Sequence, residues 1–309
     1  MNGVVKPFFR WIGGKGRLIK DIDIRLPHSL LTSEDVTYIE PFVGGGAVLF
    51  HILTKYPNIK RVIINDINKR VFATYVALRD DPYKLIDMIE EMRKSFISCD
   101  MDGRKKMFDS AKDFLNNSDT TDHFLIAACM LFLNHTSYNG LYRENKKGEF
   151  NAPFGWGKDW TLDYKSFLAT SKALNGVIIR NEDYKEILKD ILPRSFVYLD
   201  PPYRPISKTG SFNNYSSESF GDEEQRVLRD TCDVIDALGC KFLLSNSDCL
   251  DGFFDELYNG YVIDRVSIMR NLSCLSAKSV VNEILVRNYT DTRYDRASCH
   301  KQLSLFDHE

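Results

Sequence analysis

Apolar residues along this chain fall into two alternating patterns. Short, nearly unbroken runs of strand length recur at Thr37-Tyr38-Ile39, Arg61-Val62-Ile63-Ile64-Asn65, Val177-Ile178-Ile179, Val197-Tyr198-Leu199 and Lys241 to Ser245. Runs of this kind, rich in β-branched and aromatic residues, read as core strands of a largely parallel sheet. Segments with helical spacing lie between and after them: Leu18 to Leu26, the apolar stretch from Ala47, Tyr184 to Leu192, Asp222 to Leu238 and Leu250 to Leu257. Tyr261-Val262-Ile263 and Glu283 to Val286 read as a late antiparallel pair, with Arg270 to Lys278 as the loop between them. The alternation predicts an α/β fold: a Rossmann-like sheet with helices on both faces.

The rhythm lapses from about Arg79 to Trp160. Leu85, Ile86, Ile89, Met92 and Phe96 repeat at helical spacing and Phe124 to Leu133 is a strongly apolar helix, so this stretch predicts a mainly helical insertion. Composition then changes again. From Asn134 through Tyr138-Asn139-Gly140-Leu141-Tyr142-Arg143 to Pro153-Phe154-Gly155-Trp156, aromatics, amides and cations interleave among glycines. Arg and Asn can pair with purine edges, and aromatic rings can stack on or wedge between bases, so the segment reads either as a nucleic-acid surface or as a long loop with its own small core. The expected organisation is a discontinuous catalytic domain at 1–78 and 161–290, an insertion at 79–160, and a polar tail at 291–309.

Three turns carry candidate chemistry. The strand ending at Leu199 stops at Asp200-Pro201-Pro202-Tyr203, where two prolines remove backbone donors and halt regular structure. A carboxylate, main-chain carbonyls and a flat ring remain, which suits a planar group bearing an amino function. Arg204 to Ser219 reads as a mobile loop over that site. Upstream, Phe42-Val43-Gly44-Gly45-Gly46 joins a strand to an apolar helix, and the next strand ends in Asp66, where an acidic side chain in such folds binds ribose hydroxyls. Leu49 stands where a dinucleotide fingerprint has its third glycine, so a ligand with ribose but no pyrophosphate fits better. Trp11-Ile12-Gly13-Gly14-Lys15-Gly16 opens a helix without matching a phosphate loop and, by itself, only admits an anionic ligand.

Composition narrows the classes. With 309 residues, 43% of them hydrophobic, the chain can build a large core. No run approaches the roughly 20 apolar residues of a membrane helix, and the first residues lack a signal peptide's apolar core, so a cytoplasmic protein is expected. The 7 cysteines are scattered without a C-x-x-C pair and read as reduced packing residues; no metal site is expected. A net charge of -2 argues against binding nucleic acid by bulk electrostatics, although Lys6, Arg10, Lys15, Arg17, Lys20 and Arg25 form a local basic cluster.

The motifs Trp11 to Lys15, Glu40 to Gly46, Asn65 to Asn68, Tyr138 to Arg143, Phe150 to Gly155 and Asp200 to Tyr203, in that order, resemble the Dam-type (D12 class) DNA adenine methyltransferase family over about Lys6 to Tyr289. The resemblance implies an S-adenosylmethionine-dependent methyltransferase sheet and transfer of a methyl group to N6 of an adenine flipped out of duplex DNA, with GATC as the site commonly read by such enzymes. It implies a cofactor pocket lined by Trp11, Gly13, Lys15, Phe42, Gly44, Gly46, Asp66 and Asp183, and a base cup made of Asp200, Pro201, Pro202 and Tyr203. Tyr138, Asn139, Leu141, Arg143, Pro153 and Phe154 would lie on the DNA. A methyltransferase acting on RNA or on a protein amide, and a non-catalytic DNA-binding regulator, are the alternatives; Asp at position 200 and the aromatic, cationic insertion favour DNA. A monomer is expected. In the tail, Gln302, Leu303, Leu305 and Phe306 are similar to the short peptide by which bacterial DNA-processing proteins bind the sliding clamp, with a packing segment as the alternative.

Overall fold

The computed structural model describes residues 4–33, 35–204, 220–271 and 278–292. In chain order the elements are α1 (Ile19–Arg25), α2 (Ser29–Thr32), β1 (Thr37–Glu40), α3 (Ala47–Lys55), β2 (Arg61–Asn65), α4 (Lys69–Asp80), α5 (Pro82–Ser98), α6 (Met101–Asn117) and α7 (His123–Thr136). They continue with α8 (Tyr164–Ala173), β3 (Ile178–Arg180), β4 (Phe196–Leu199), α9 (Asp222–Ala237), β5 (Lys241–Ser247), α10 (Phe253–Leu257), β6 (Val262–Asn271) and β7 (Lys278–Arg287). The predicted loop after Arg204, most of the loop after Arg270, and the tail with Gln302, Leu303, Leu305 and Phe306 lie outside the described residues.

Among the described residues the strands form one sheet in the order β3-β2-β1-β4-β5-β7-β6. The first five are parallel, and β7 runs antiparallel between β5 and β6. Side chains alternate across it with period two. Tyr38, Val62, Ile64, Phe196, Tyr198, Leu243 and Leu285 face one core, and Ile39, Ile63, Val197, Leu199, Leu244 and Val286 face the other. Burial on both faces is why these strands read as unbroken apolar runs rather than alternating ones.

The helical insertion does not carry a separate core. Phe96 of α5, Phe108 of α6 and Phe132 of α7 join the same apolar cluster as Tyr75 of α4 and Tyr38 of β1. α6 was not legible in the pattern because Phe108, Ala111 and Leu115 are its buried positions, too few to stand out in a polar segment. The predicted helix from Tyr184 is a tighter 3-10 segment, Tyr184–Asp190. No helix among the described residues is long and apolar enough to cross a membrane.

Strands β1 and β4 are neighbours, with Tyr38 opposite Phe196 and Ile39 opposite Val197, yet the chain winds away from them in opposite directions. In open α/β sheets the crevice beyond the carboxyl ends at such a reversal is where ligands bind. Here those ends are Glu40, leading into the glycine loop, and Leu199, leading into Asp200.

Candidate active site

Asp200 emerges from β4 beside a buried cation. Lys15, in the 3-10 turn Lys15–Arg17 before α1, forms an ion pair with Asp200 Oδ1. Its Nζ also donates to the Tyr203 hydroxyl at 3.0 Å and to the Gly13 carbonyl at 3.3 Å, and it stands 4.7 Å from the centre of the Tyr203 ring. The lysine expected at an anionic ligand therefore also contacts the acceptor turn. Burial opposes its charge, but Asp200, Tyr203 and Glu283 together outweigh that and hold its pKa above the ordinary lysine value. For Asp200 burial pushes the carboxyl up while Lys15 pulls it back. The Ser245 hydroxyl, 3.0 Å from that of Tyr198, donates to Asp200 Oδ1 at 3.3 Å.

Pro202 is held from α9, which is itself tied to β5. Gln225 Nε2 donates to the Pro202 carbonyl at 3.4 Å, and Asn246 Nδ2 donates to Gln225 Oε1 at 3.2 Å. Ser245 and Gln225 were missed from sequence. The polar triplet Ser245-Asn246-Ser247, buried at the end of an apolar strand, was the available signal, because buried polar groups must find partners.

The glycine loop has a reason of its own to lack side chains. Gly44 and Gly46 have φ +45° and +71°, and a Cβ on Gly44 would lie 2.7 Å from Trp11 Nε1. A Cβ on Gly45 would meet Trp11 Cβ at 2.9 Å, and one on Gly46 would meet the Tyr75 hydroxyl at 2.3 Å. Trp11 therefore lies against the loop, with its indole stacked on Tyr142 at 5.1 Å. Asp66 follows β2 and accepts from Gly44 N and Asn68 N, each at 2.9 Å. Burial, against those two donors, raises its carboxyl to about 6. Phe42 is half-buried, its ring 5.0 Å from Tyr184.

Asp183 is exposed, and its Oδ1 accepts from Lys185 N at 2.9 Å, capping the 3-10 segment. Its loop nevertheless adjoins Asp66: Asn181 Nδ2 donates to the Asp66 carbonyl at 2.7 Å. Gly13, with φ +81°, is exposed in the turn before Lys15.

Residues 136–155 form a hairpin-like ladder. Tyr138 N donates to the Pro153 carbonyl and Asn151 N to the Arg143 carbonyl, each at 2.8 Å, with a turn closed by Gly148 N on the Asn145 carbonyl. Tyr138, Leu141 and Trp156 are 45%, 38% and 73% exposed, and Asn139 and Pro153 are exposed beside them. Arg143 spends Nε on Asn151 Oδ1 at 2.7 Å, inside the ladder. Phe154, expected on the DNA, is half-buried. Its ring stands 5.3 Å from that of Phe108 and 6.4 Å from that of Phe96, against α6 and α5. Asn134 Nδ2 ties the base of the ladder to the N-terminal segment by donating to Arg10 O at 2.8 Å and Gly140 O at 3.1 Å.

The basic cluster divides in three dimensions. Lys15 turns inward, Lys6 pairs with Asp163, and Arg25 pairs with Asp264, while Arg10, Arg17 and Lys20 are exposed.

Residues 11–272 match the model of the D12 class N6 adenine-specific DNA methyltransferase family. The type II methyltransferase M.MjaIII of Methanocaldococcus jannaschii is 40% identical over 289 residues, 92% of this chain and 99% of that protein. The type II methyltransferase M1.LlaDCHI of Lactococcus lactis is 31% identical over 290 residues, 92% of this chain and 96% of its own length. The DNA adenine methylase of Escherichia coli is 30% identical over 274 residues, 87% of this chain and 89% of its own. The mixed sheet with helices on both faces is that of S-adenosylmethionine-dependent methyltransferases. With its acceptor turn, glycine loop and acidic strand end gathered at one crevice, the chain belongs to the D12 class N6 adenine-specific DNA methyltransferases and is an enzyme that methylates adenine in DNA.

Proposed function

We propose that Asp200, Pro201, Pro202 and Tyr203 form the cup that receives the target adenine, and that Trp11, Gly13, Phe42, Gly44, Gly46, Asp66 and Asp183 line the S-adenosylmethionine pocket. The observation that carries this is the emergence of the acceptor turn and the glycine loop from adjacent strands at the reversal of strand order. Lys15 serves the cup first, keeping Asp200 ionised. The Asp66 carboxylate, at a strand end beside glycines of positive φ, fits a ribose.

S-adenosylmethionine supplies an electrophilic methyl group on its sulfonium. The chain's own task is to make the adenine amino nitrogen a better nucleophile, since its lone pair is delocalised into the ring. Asp200 and the Pro201 carbonyl accept the two amino hydrogens and favour a pyramidal nitrogen whose lone pair faces the methyl. With the cofactor bound, the nitrogen would take the methyl carbon while the sulfur kept the electron pair of the broken carbon–sulfur bond, and the proton lost from nitrogen would pass to Asp200 and on to water. No covalent link to the enzyme is needed. Extruding the base costs a few kcal/mol, and stacking on Tyr203, at about 1–3 kcal/mol, offsets part of it.

Residues 79–160 act as the target-recognition unit on the catalytic parts, 1–78 and 161–290. Tyr138, Asn139, Leu141, Arg143, Pro153 and Phe154 contact the duplex, with GATC as the expected site. Exposure of Tyr138 and Leu141 on one ladder supports this. The protein acts as a monomer in the cytoplasm, and Gln302, Leu303, Leu305 and Phe306 bind a sliding clamp.

Tritiated methyl transfer to duplex DNA tests the core of the reading. A folded Asp200→Ala variant should lose transfer, and one that still methylates would remove the cup. Sequencing the methylated adenines gives the site. Deleting residues 302–309 should abolish clamp capture and leave methylation of short duplexes unchanged.

A further inference from the structure

We propose that Glu144 is a positioning residue that couples cofactor binding to the setting of the target-reading ladder. The proposal rests on the reading of Asp66 as the ribose anchor. A single oxygen, Glu144 Oε1, accepts from Asn68 Nδ2 at 2.8 Å, from Arg70 NH1 at 2.9 Å and from the Tyr142 hydroxyl. Glu144 and Arg70 are buried to similar degrees, their side chains 13% and 14% exposed.

Each donor leads to a different part of the machinery. Asn68 donates its main-chain N–H to Asp66 Oδ1, and its Oδ1 accepts from Arg70 N at 2.9 Å, starting α4. Tyr142 stacks on Trp11, and Trp11 lies against Gly44, whose N–H donates to the other Asp66 oxygen. A closed circuit results: Asp66, Asn68, Glu144, Tyr142, Trp11, Gly44 and back to Asp66. Arg70 extends it to the ladder. NH1 donates to Gly148 O, and NH2 to Leu115 O and Asn116 Oδ1, while Asn116 Nδ2 donates to Phe150 O at 3.0 Å. Glu144 and Phe150 face one another across the ladder. Glu144 is also close enough to contribute, after burial, to raising the Asp66 carboxyl.

A ribose drawing on Asp66 changes what that carboxylate offers Asn68 and Gly44. Both of those groups pass the change through half-buried contacts to residues that hold the ladder. Charge-assisted bonds of this kind are strong and directional, so the circuit favours one setting of the ladder when the ribose site is filled. By reciprocity, DNA on the ladder must then tighten the cofactor by the same factor.

The test measures three affinities on the full chain: S-adenosylhomocysteine alone, the duplex that the wild type methylates alone, and that duplex with saturating S-adenosylhomocysteine. The wild type should bind duplex about fivefold or more tightly when the cofactor product is present. In Glu144→Ala the ratio should fall to within about twofold of unity, and Glu144→Gln, whose amide oxygen still accepts, should keep most of it. If the alanine variant does not fold, Tyr142→Phe, which removes one donor and keeps the ring, should lower the ratio in its place. A purely structural role would lower the melting temperature and both separate affinities but leave the ratio intact, and that result overturns the proposal. So does a wild-type ratio of one. If Asp66→Ala leaves S-adenosylhomocysteine binding unchanged, the ribose reading itself fails, an outcome distinct from a weakened cofactor with an unchanged ratio.

Discussion

Replacing Lys15 with methionine isolates the ion pair at the acceptor turn. The substitution keeps an unbranched side chain of similar reach where the lysine is 3% exposed, and removes the charge together with the bonds Nζ donates to the Tyr203 hydroxyl and the Gly13 carbonyl. Asp200, 19% exposed, then faces its buried surroundings with the Ser245 hydroxyl at 3.3 Å as its remaining donor among those described above. Breaking one side of a buried pair costs about 3–5 kcal/mol in general. Asp200 retains some water and can take up a proton, so the loss should fall to or below the bottom of that range, about 2–3 kcal/mol. At roughly 2 °C per kcal/mol for a chain of this size, the melting temperature should fall by about 4–6 °C. The functional effect has a definite sign. Burial raises the Asp200 carboxyl and Lys15 opposes that rise, so deleting the charge raises it further. Because the ionised form is the acceptor, the acid limb of the methylation profile should move to higher pH. Tritiated methyl transfer at saturating duplex and cofactor, from about pH 6 to 9, reads this directly. An unmoved acid limb with an unchanged melting temperature would refute the ion pair as the device that keeps Asp200 charged. An unmoved limb with weakened S-adenosylhomocysteine binding would return Lys15 to the cofactor pocket.

Two further outcomes follow from the glycine loop and from Asp66. Gly44→Ala should cost about 1–2 kcal/mol for the left-handed backbone alone, plus the displacement of the Trp11 indole 2.7 Å from the new Cβ. Adding Trp11→Ala should relieve the collision but not the backbone cost, and calorimetric unfolding showing no loss in the single variant would contradict the packing described. Asp66, raised to about 6, is ionised above that pH and protonated below it. Ribose hydroxyls favour the ionised form, so S-adenosylhomocysteine should bind progressively more weakly as pH falls through 6, by up to about tenfold per unit. Isothermal titration should show proton release on binding below that pH, and an Asp66→Asn variant should show a flat profile.

How much was legible in the sequence differs from element to element. The strands and their order along the chain were readable because burial on both faces leaves little choice but β-branched and aromatic runs, as at Val62-Ile63-Ile64. The turns at Asp200-Pro201-Pro202 and Gly44-Gly45-Gly46 were readable because proline and glycine act on the backbone locally, whatever surrounds them. Family membership followed from such local signals occurring in a set order. Partnership was decided elsewhere. No spacing brings Lys15 to Asp200, or Glu144 to Asn68 and Arg70, since these contacts join residues far apart in the chain. The same holds for Phe154, whose contacts with Phe96 and Phe108 arise only once α5 and α6 have packed. Local residue chemistry determined which groups this protein has to work with. Packing determined which are spent on one another, because the energy of a buried charge or ring depends on neighbours that only the folded chain supplies.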